Sequence, residues 1–189
     1  MITTVYLVRH ARSDNSVAEE ALRPLTEKGM EDRRLVTDIL KGKEIKAVYS
    51  SPYLRAVQTV SPLADALGLE VISESAFRER AQGEKAGIAD FALKQWHDRD
   101  FSAPMGESLN ETVDRFLVRL YELIKEHEGQ AFVVGSHGMA ISAVASRLFS
   151  GFDYDEYLKF QNVMPFIAKA EFEADGLVSL KVINPFEKQ

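Results

Sequence analysis

The chain has 189 residues, 46% of them hydrophobic, and a formal net charge of −6. This is enough apolar material for a full core in one domain covering residues 1–189. The acidic balance argues against a general nucleic-acid or anionic-membrane surface, so any bound phosphate must be held by a local cluster of cations. With no cysteine there is no disulfide framework, thiol nucleophile or thiolate metal site, and a reducing compartment is compatible with the chain.

No apolar run approaches membrane-spanning length. The apolar start is too short for a signal peptide and leads into Arg9 and Arg12 instead of a small-residue cleavage site, so the cytoplasm is the expected location. No repeat or Pro/Gly/Ser-rich stretch divides the chain. Nothing in the sequence signals an oligomeric state.

Ile2 to Val8 reads as a strand of a parallel sheet, buried on both faces, and it runs straight into Arg9 and His10. Thr26 can cap a helix from Glu27 to Lys41. Ile45 to Tyr49 is a short buried strand, and Ser51-Pro52 predicts a second helix with serine as its cap and proline at its first position. Pro62 should kink or break that helix near Ser61. Leu69 to Ile72 is a third strand. Residues 73–106 are the least regular stretch, helical only over Ile88 to His97, and such an excursion on an α/β core is usually a functional wall or lid.

Ser108-Leu109-Asn110-Glu111 fits a capping box, and the apolar stripe after it predicts a helix that ends at Gly129. A strand over Ala131 to Gly135 then runs into Ser136-His137-Gly138, followed by a helix from Met139 to Phe149. Ile167 to Phe172 and Leu177 to Ile183, joined by Asp175-Gly176, form a hairpin signal. The whole predicts an α/β fold: a three-layer sandwich with a mostly parallel central sheet, an antiparallel edge and helices on both faces. Two strands end in a histidine, at the sheet end where open α/β sheets bind ligands.

The segment from Ala47 to Thr59, Ala-Val-Tyr-Ser-Ser-Pro-Tyr-Leu-Arg-Ala-Val-Gln-Thr, joins these features. With Arg9-His10 before it and Ser136-His137-Gly138 after it, it resembles the signature of the histidine phosphatase superfamily along nearly the whole chain. Gly106-Glu107-Ser108 further resembles the branch that holds cofactor-dependent phosphoglycerate mutases and broad-specificity phosphatases. The resemblance implies a phosphate pocket of Arg9, His10, Arg55 and His137, with Glu79 as the proton donor. It implies no cofactor and no metal, and a small phosphorylated substrate rather than a nucleic acid or membrane as partner. Ala11 stands where relatives usually carry glycine. Arg12, an extra cation, Ser16 beside Asn15, and Glu107 at the rim are further candidates for substrate contacts.

These residue types suit the chemistry on physical grounds. Phosphate monoester hydrolysis is among the slowest uncatalysed reactions, so catalysis rests on positioning and charge stabilisation. Arg9 and Arg55 offer planar cationic forks for phosphoryl oxygens. They also disfavour protonation of His10, which leaves a ring nitrogen free to attack phosphorus. His137 would stabilise the equatorial oxygens, and Glu79 would protonate the leaving oxygen if the dianion beside it favours its acid form. Glu84 and Glu107 are the alternative acids. The expected function is a metal-independent phosphatase. Mutase-type phosphoryl transfer is the nearest alternative, less favoured because the chain is shorter than such mutases and lacks their middle insertion and C-terminal tail. A noncatalytic phosphate-binding module is opposed by the intact set of catalytic residue types, and a metallohydrolase by the two arginines that would repel a divalent cation.

Overall fold

A computed structural model describes residues 1–187. Its strands are β1 (Ile2–Arg9), β2 (Ile45–Ser50), β3 (Val71–Ser73), β4 (Ala131–Ser136), β5 (Ile167–Glu173) and β6 (Gly176–Ile183). They form one six-stranded sheet in the order β3-β2-β4-β1-β5-β6. Pairings on the β3 side of β1 are parallel, whereas β5 runs antiparallel to both β1 and β6. The expected antiparallel edge is therefore the β5–β6 hairpin laid against the central strand.

The helices are α1 (Glu27–Asp32), α2 (Arg34–Leu40), α3 (Leu54–Leu67), α4 (Phe91–His97), α5 (Leu109–Glu126), α6 (Gly138–Leu148) and α7 (Tyr154–Phe160). Alternate side chains of a strand point to opposite faces. Val5, Leu7, Phe132 and Val134 thus meet Phe116 and Leu120 of α5 and Val144 of α6 on one side. Tyr6, Val8 and Val133 meet Val36 and Leu40 of α2 and Val60 and Leu63 of α3 on the other. This is the predicted three-layer sandwich.

Several local expectations hold in detail. Thr26 accepts the Gly29 N–H, and Ser108 and Glu111 make both bonds of a capping box. Others are corrected. The helix predicted over 27–41 is two short helices separated at Arg33. The helix predicted from Ser51-Pro52 begins at Leu54 with Tyr53 in the N-cap position, while the Ser51 hydroxyl accepts the Tyr53 N–H and pairs with His137. The short helix α7, where the sequence reading places no element, is capped by Asp153, whose side chain accepts the Glu156 N–H.

Pro62 does not break α3, which runs unbroken from Leu54 to Leu67. Proline has no N–H for the carbonyl four residues back, and the Arg33 guanidinium donates to that orphaned Gln58 oxygen at 2.9 Å. The break is averted by a side chain from the junction of α1 and α2, which no local pattern reveals. Arg33→Met should therefore lower stability by about 1 kcal/mol in urea unfolding, the usual net worth of one such bond. In a Pro62→Ala background, where an N–H returns to the Gln58 oxygen, the same substitution should cost much less; equal losses in both backgrounds would refute the compensation.

Candidate active site

The central position of β1 fixes where its last residues go. The Arg9 N–H donates to the Phe166 carbonyl at 2.9 Å and the His10 N–H to the Ser136 carbonyl at 3.0 Å, so the chain stays tied to both neighbours as the strand ends. β4 ends alongside, and His137 takes the N-cap position of α6. The two imidazoles lie 5.2 Å apart between centroids, in an edge-on arrangement. Arg55, on the first turn of α3, reaches the same place and donates from Nε to His10 Nε2 at 3.2 Å. Arg9, His10, Arg55 and His137, expected from four separate positions in the sequence, are thus brought together at the carboxyl end of the sheet.

The hydrogen bonds of His10 settle its tautomer. Nδ1 lies 2.7 Å from the Ala11 carbonyl, and a carbonyl can only accept, so Nδ1 carries the proton. Nε2 then carries the lone pair, which accepts the Arg55 Nε–H. Burial, seconded by the Arg55 charge, pushes the His10 pKa down to about 3. The ring is accordingly neutral near neutral pH.

The two arginines are held by neutral carbonyls. Arg9 Nη1 donates to the Phe160, Gln161 and Val163 oxygens at 2.9, 2.9 and 3.1 Å, while its Nε is buried without a partner. A Cβ on Gly138 would come within 2.8 Å of the Arg9 Cζ, so glycine is needed there for the guanidinium to lie against the start of α6. Arg55 Nη1 donates to the Glu20 carbonyl at 2.5 Å, and its guanidinium stacks over the Tyr53 ring.

Glu79 reaches the cluster from the irregular segment between β3 and α4. Its Oε1 accepts the N–H groups of Arg80 at 2.9 Å and Ala140 at 3.0 Å, and its Oε2 the N–H of Met139 at 3.2 Å. A carboxylate at the N-terminal end of a helix is electrostatically well placed. Beside it, Arg80 is only 5% exposed and its Nε and Nη1 have no partner. Arg80 was not singled out from sequence, since an arginine in a loop gives no sign of burial.

Glu107 is corrected from a rim contact to a strut. It receives a forked pair of bonds from Arg78 at 2.5 and 2.6 Å, Arg115 Nε at 2.9 Å and the Ala81 N–H at 2.9 Å. Arg115 in turn donates to the Ala76, Arg78 and Glu79 carbonyls at 2.6, 3.0 and 3.2 Å. Together these clamp the loop that carries Glu79 onto α5. Burial alone would raise the Glu107 pKa, but the donors outweigh it and hold it at about 2. Glu107 is therefore an anion and unsuited to donate a proton.

Ser16 is also corrected. Its N–H and hydroxyl both donate to Asp14 Oδ1, at 2.9 and 2.7 Å, closing an exposed turn. Arg12 is exposed, and with Ser13, Asn15, Asn162 and Met164 it lines a cavity of about 400 Å³. Glu84 is exposed, and its backbone N–H donates to the Pro104 carbonyl. His127 closes α5 without entering the cluster, and its Nε2 pairs with the Tyr49 hydroxyl at 2.9 Å.

A sequence profile of the histidine phosphatase superfamily (branch 1) matches residues 5–184. The probable phosphoglycerate mutase GpmB of Serratia proteamaculans is 31% identical over 156 residues, which are 75% of this chain and 73% of that protein. Phosphoserine phosphatase 1 of Hydrogenobacter thermophilus is 31% identical over 168 residues, 82% of this chain and 79% of that protein. Among solved structures, a mycobacterial glucosyl-3-phosphoglycerate phosphatase superposes with a TM-score of 0.76 at 18% identity, covering 96% of this chain and 97% of that one. Bacillus stearothermophilus YhfR gives 0.73 at 22%, covering 93% and 94%. At such identities these two structures establish the likeness of fold.

The Glu107 network has a consequence for stability. Its folded pKa of about 2 lies below the ordinary 4.5, so its contribution is full above the ordinary value and is lost as pH falls toward the folded one. Acid unfolding between about pH 4.5 and 2 should be shallower in Glu107→Gln than in the parent, and that variant should be less stable at pH 7, as followed by circular dichroism. An unchanged acid limb would show that Glu107 does not anchor the loop.

Proposed function

The chain belongs to the histidine phosphatase superfamily, branch 1, and on that premise we propose that it is a metal-independent phosphatase. It hydrolyses small phosphomonoesters through a phosphohistidine on His10. The observation that carries the reading is the state of His10: neutral, with Nδ1–H tied to the Ala11 carbonyl and with its Nε2 lone pair accepting the Nε–H of buried Arg55, a donor that a phosphoryl oxygen can take over as it arrives. A general nucleophile needs that preparation before substrate arrives.

In this reading Arg9, Arg55 and His137 hold the phosphoryl oxygens while the Nε2 lone pair of His10 attacks phosphorus. The P–O ester bond breaks, and its electron pair leaves with the alcohol oxygen. Glu79 supplies the proton that this oxygen needs, then takes one from the water that releases phosphate. Its Oε1 already accepts two N–H bonds, so Oε2 is the oxygen freer to carry a proton. Residues 73–106 supply the wall beside the leaving group. Arg80, with its unpartnered nitrogens next to Glu79, adds a further cation and suits alcohols that bear a second anionic group.

Return of the phosphoryl group to substrate, as in a mutase, is the second reading, favoured by the 31% identity to a probable phosphoglycerate mutase. Incubation with 3-phosphoglycerate separates the two: a phosphatase releases inorganic phosphate, a mutase accumulates the 2-phospho isomer.

Brief mixing with para-nitrophenyl phosphate should leave acid-labile, alkali-stable phosphate on His10, and His10→Ala should abolish turnover with the fold retained. Turnover should be unaffected by a chelator. Label on a serine or aspartate would assign another nucleophile.

Glu79→Gln should slow alkyl phosphates by about 10²–10⁴, the range of a positioned acid. In single turnover an aryl phosphate with an acidic leaving group should lose far less, because that oxygen needs little protonation. Equal losses on the two substrates would remove the acid role from Glu79.

A further inference from the structure

We infer that Ser51 is a positioning residue that fixes the tautomer of His137, so that His137 presents Nδ1–H, as a neutral donor, to a phosphoryl oxygen. This rests on the phosphatase reading only for what the donor is used for. The inference itself concerns a proton within the protein.

The geometry leaves little freedom. His137 is fully buried, its Nε2 lies 2.8 Å from Ser51 Oγ, and its Nδ1, on the other side of the ring, is buried with no partner. Ser51 itself is immobilised. Its N–H donates to the Gly135 carbonyl at 2.8 Å, its carbonyl accepts the Ser50 hydroxyl at 2.9 Å, and its Oγ accepts the Tyr53 N–H at 3.2 Å.

A hydroxyl has one proton to give and two lone pairs. One lone pair of Ser51 Oγ is taken by Tyr53, and among the described residues the only acceptor within reach of its proton is His137 Nε2. If the proton goes there, Nε2 is the acceptor and Nδ1 holds the ring's proton. In the reverse arrangement Nε2–H would donate to Ser51. That would strand the serine proton in the interior at an unmet cost and turn a bare lone pair, not a donor, toward an incoming anion.

The surroundings favour the neutral ring. Burial, then the charges of Arg55, Arg115 and Arg9, keeps the His137 pKa well below the ordinary value. The edges of His10 and Tyr53 pack at 5.2 Å on the ring. Ser51 therefore does for His137 what the Ala11 carbonyl does for His10, with the opposite nitrogen left to the site.

Because the chain has four histidines, ¹⁵N-labelled imidazoles can be resolved by long-range ¹H–¹⁵N NMR on the ligand-free protein, with His137→Asn for assignment. His137 should show a protonated Nδ1 and an unprotonated, hydrogen-bonded Nε2. In Ser51→Ala this population should shift toward Nε2–H, and vanadate affinity should fall by about tenfold, the worth of one good hydrogen bond. Ser51→Thr, which keeps the hydroxyl, should restore both. A wild-type His137 protonated at Nε2 overturns the inference without any variant, as does a Ser51→Ala protein with unchanged tautomer and vanadate affinity. Failure of the phosphatase reading would look different: Nδ1–H on His137 with no turnover of any phosphomonoester.

Discussion

Two guanidinium groups are held in the interior by carbonyl oxygens instead of carboxylates, and much of the site depends on that choice. Arg9 rests on the Phe160, Gln161 and Val163 carbonyls, and Arg55 on the Glu20 carbonyl. A carboxylate partner would neutralise each cation and stabilise the fold more. A carbonyl orients the fork without neutralising it, at a cost in folding free energy that the charges of Glu79, and at Arg55 also of Glu20, offset in part. Burial first, and then the charge of Arg55, lowers the His10 pKa. Under the proposed function binding and stability are coupled, because a phosphate dianion between the two arginines would add to the counter-charge that Glu79 supplies.

The carbonyls that perform this service are themselves placed by the fold. Those on Arg9 come from the end of α7 and the turn after it, and the carbonyl on Arg55 comes from the turn at Glu20–Leu22. Segments far from the strand ends thus reach the pocket through their backbones, while Phe160 and Val163 turn their side chains to the core. Gly138 contributes instead through its missing Cβ, which is the space in which the Arg9 guanidinium lies.

This division explains what could be read from the sequence. Arg9, His10 and His137 lie at strand ends, where an apolar run of period and length typical of a buried strand announces the geometry, and Arg55 follows within one turn of a strand. The capping box at Ser108 and the Asp175-Gly176 hairpin are likewise local chemistry, legible in a few residues. Illegible were the features that depend on a distant partner. Pro62 reads as a helix breaker because Arg33 lies far off in sequence, between α1 and α2. Ser51 reads as a cap because its real partner lies 86 residues away. Glu107 reads as a rim contact because the Arg78 and Arg115 that occupy it belong to a different loop and helix. Serine and glutamate satisfy local and long-range partners with the same atoms, and sequence shows only the local option.

The site therefore combines two kinds of rigidity. Arg9, His10 and His137, the proposed nucleophile and two of the proposed phosphate donors, lie at the ends of β1 and β4 in the middle of the sheet, and Arg55 joins them from the first turn of α3. Glu79 hangs from a loop fastened by the Glu107, Arg78 and Arg115 bonds and by the Ser136 hydroxyl, which donates to the Phe77 carbonyl at 2.7 Å. Phosphate binding is the same task for every phosphomonoester, whereas proton delivery must follow the position of each leaving oxygen. A backbone frame suits the invariant task and a side-chain frame the adjustable one. Under the proposed function, the loop carrying Glu79 and Arg80 is thus where a change of leaving group would be met without disturbing the histidines.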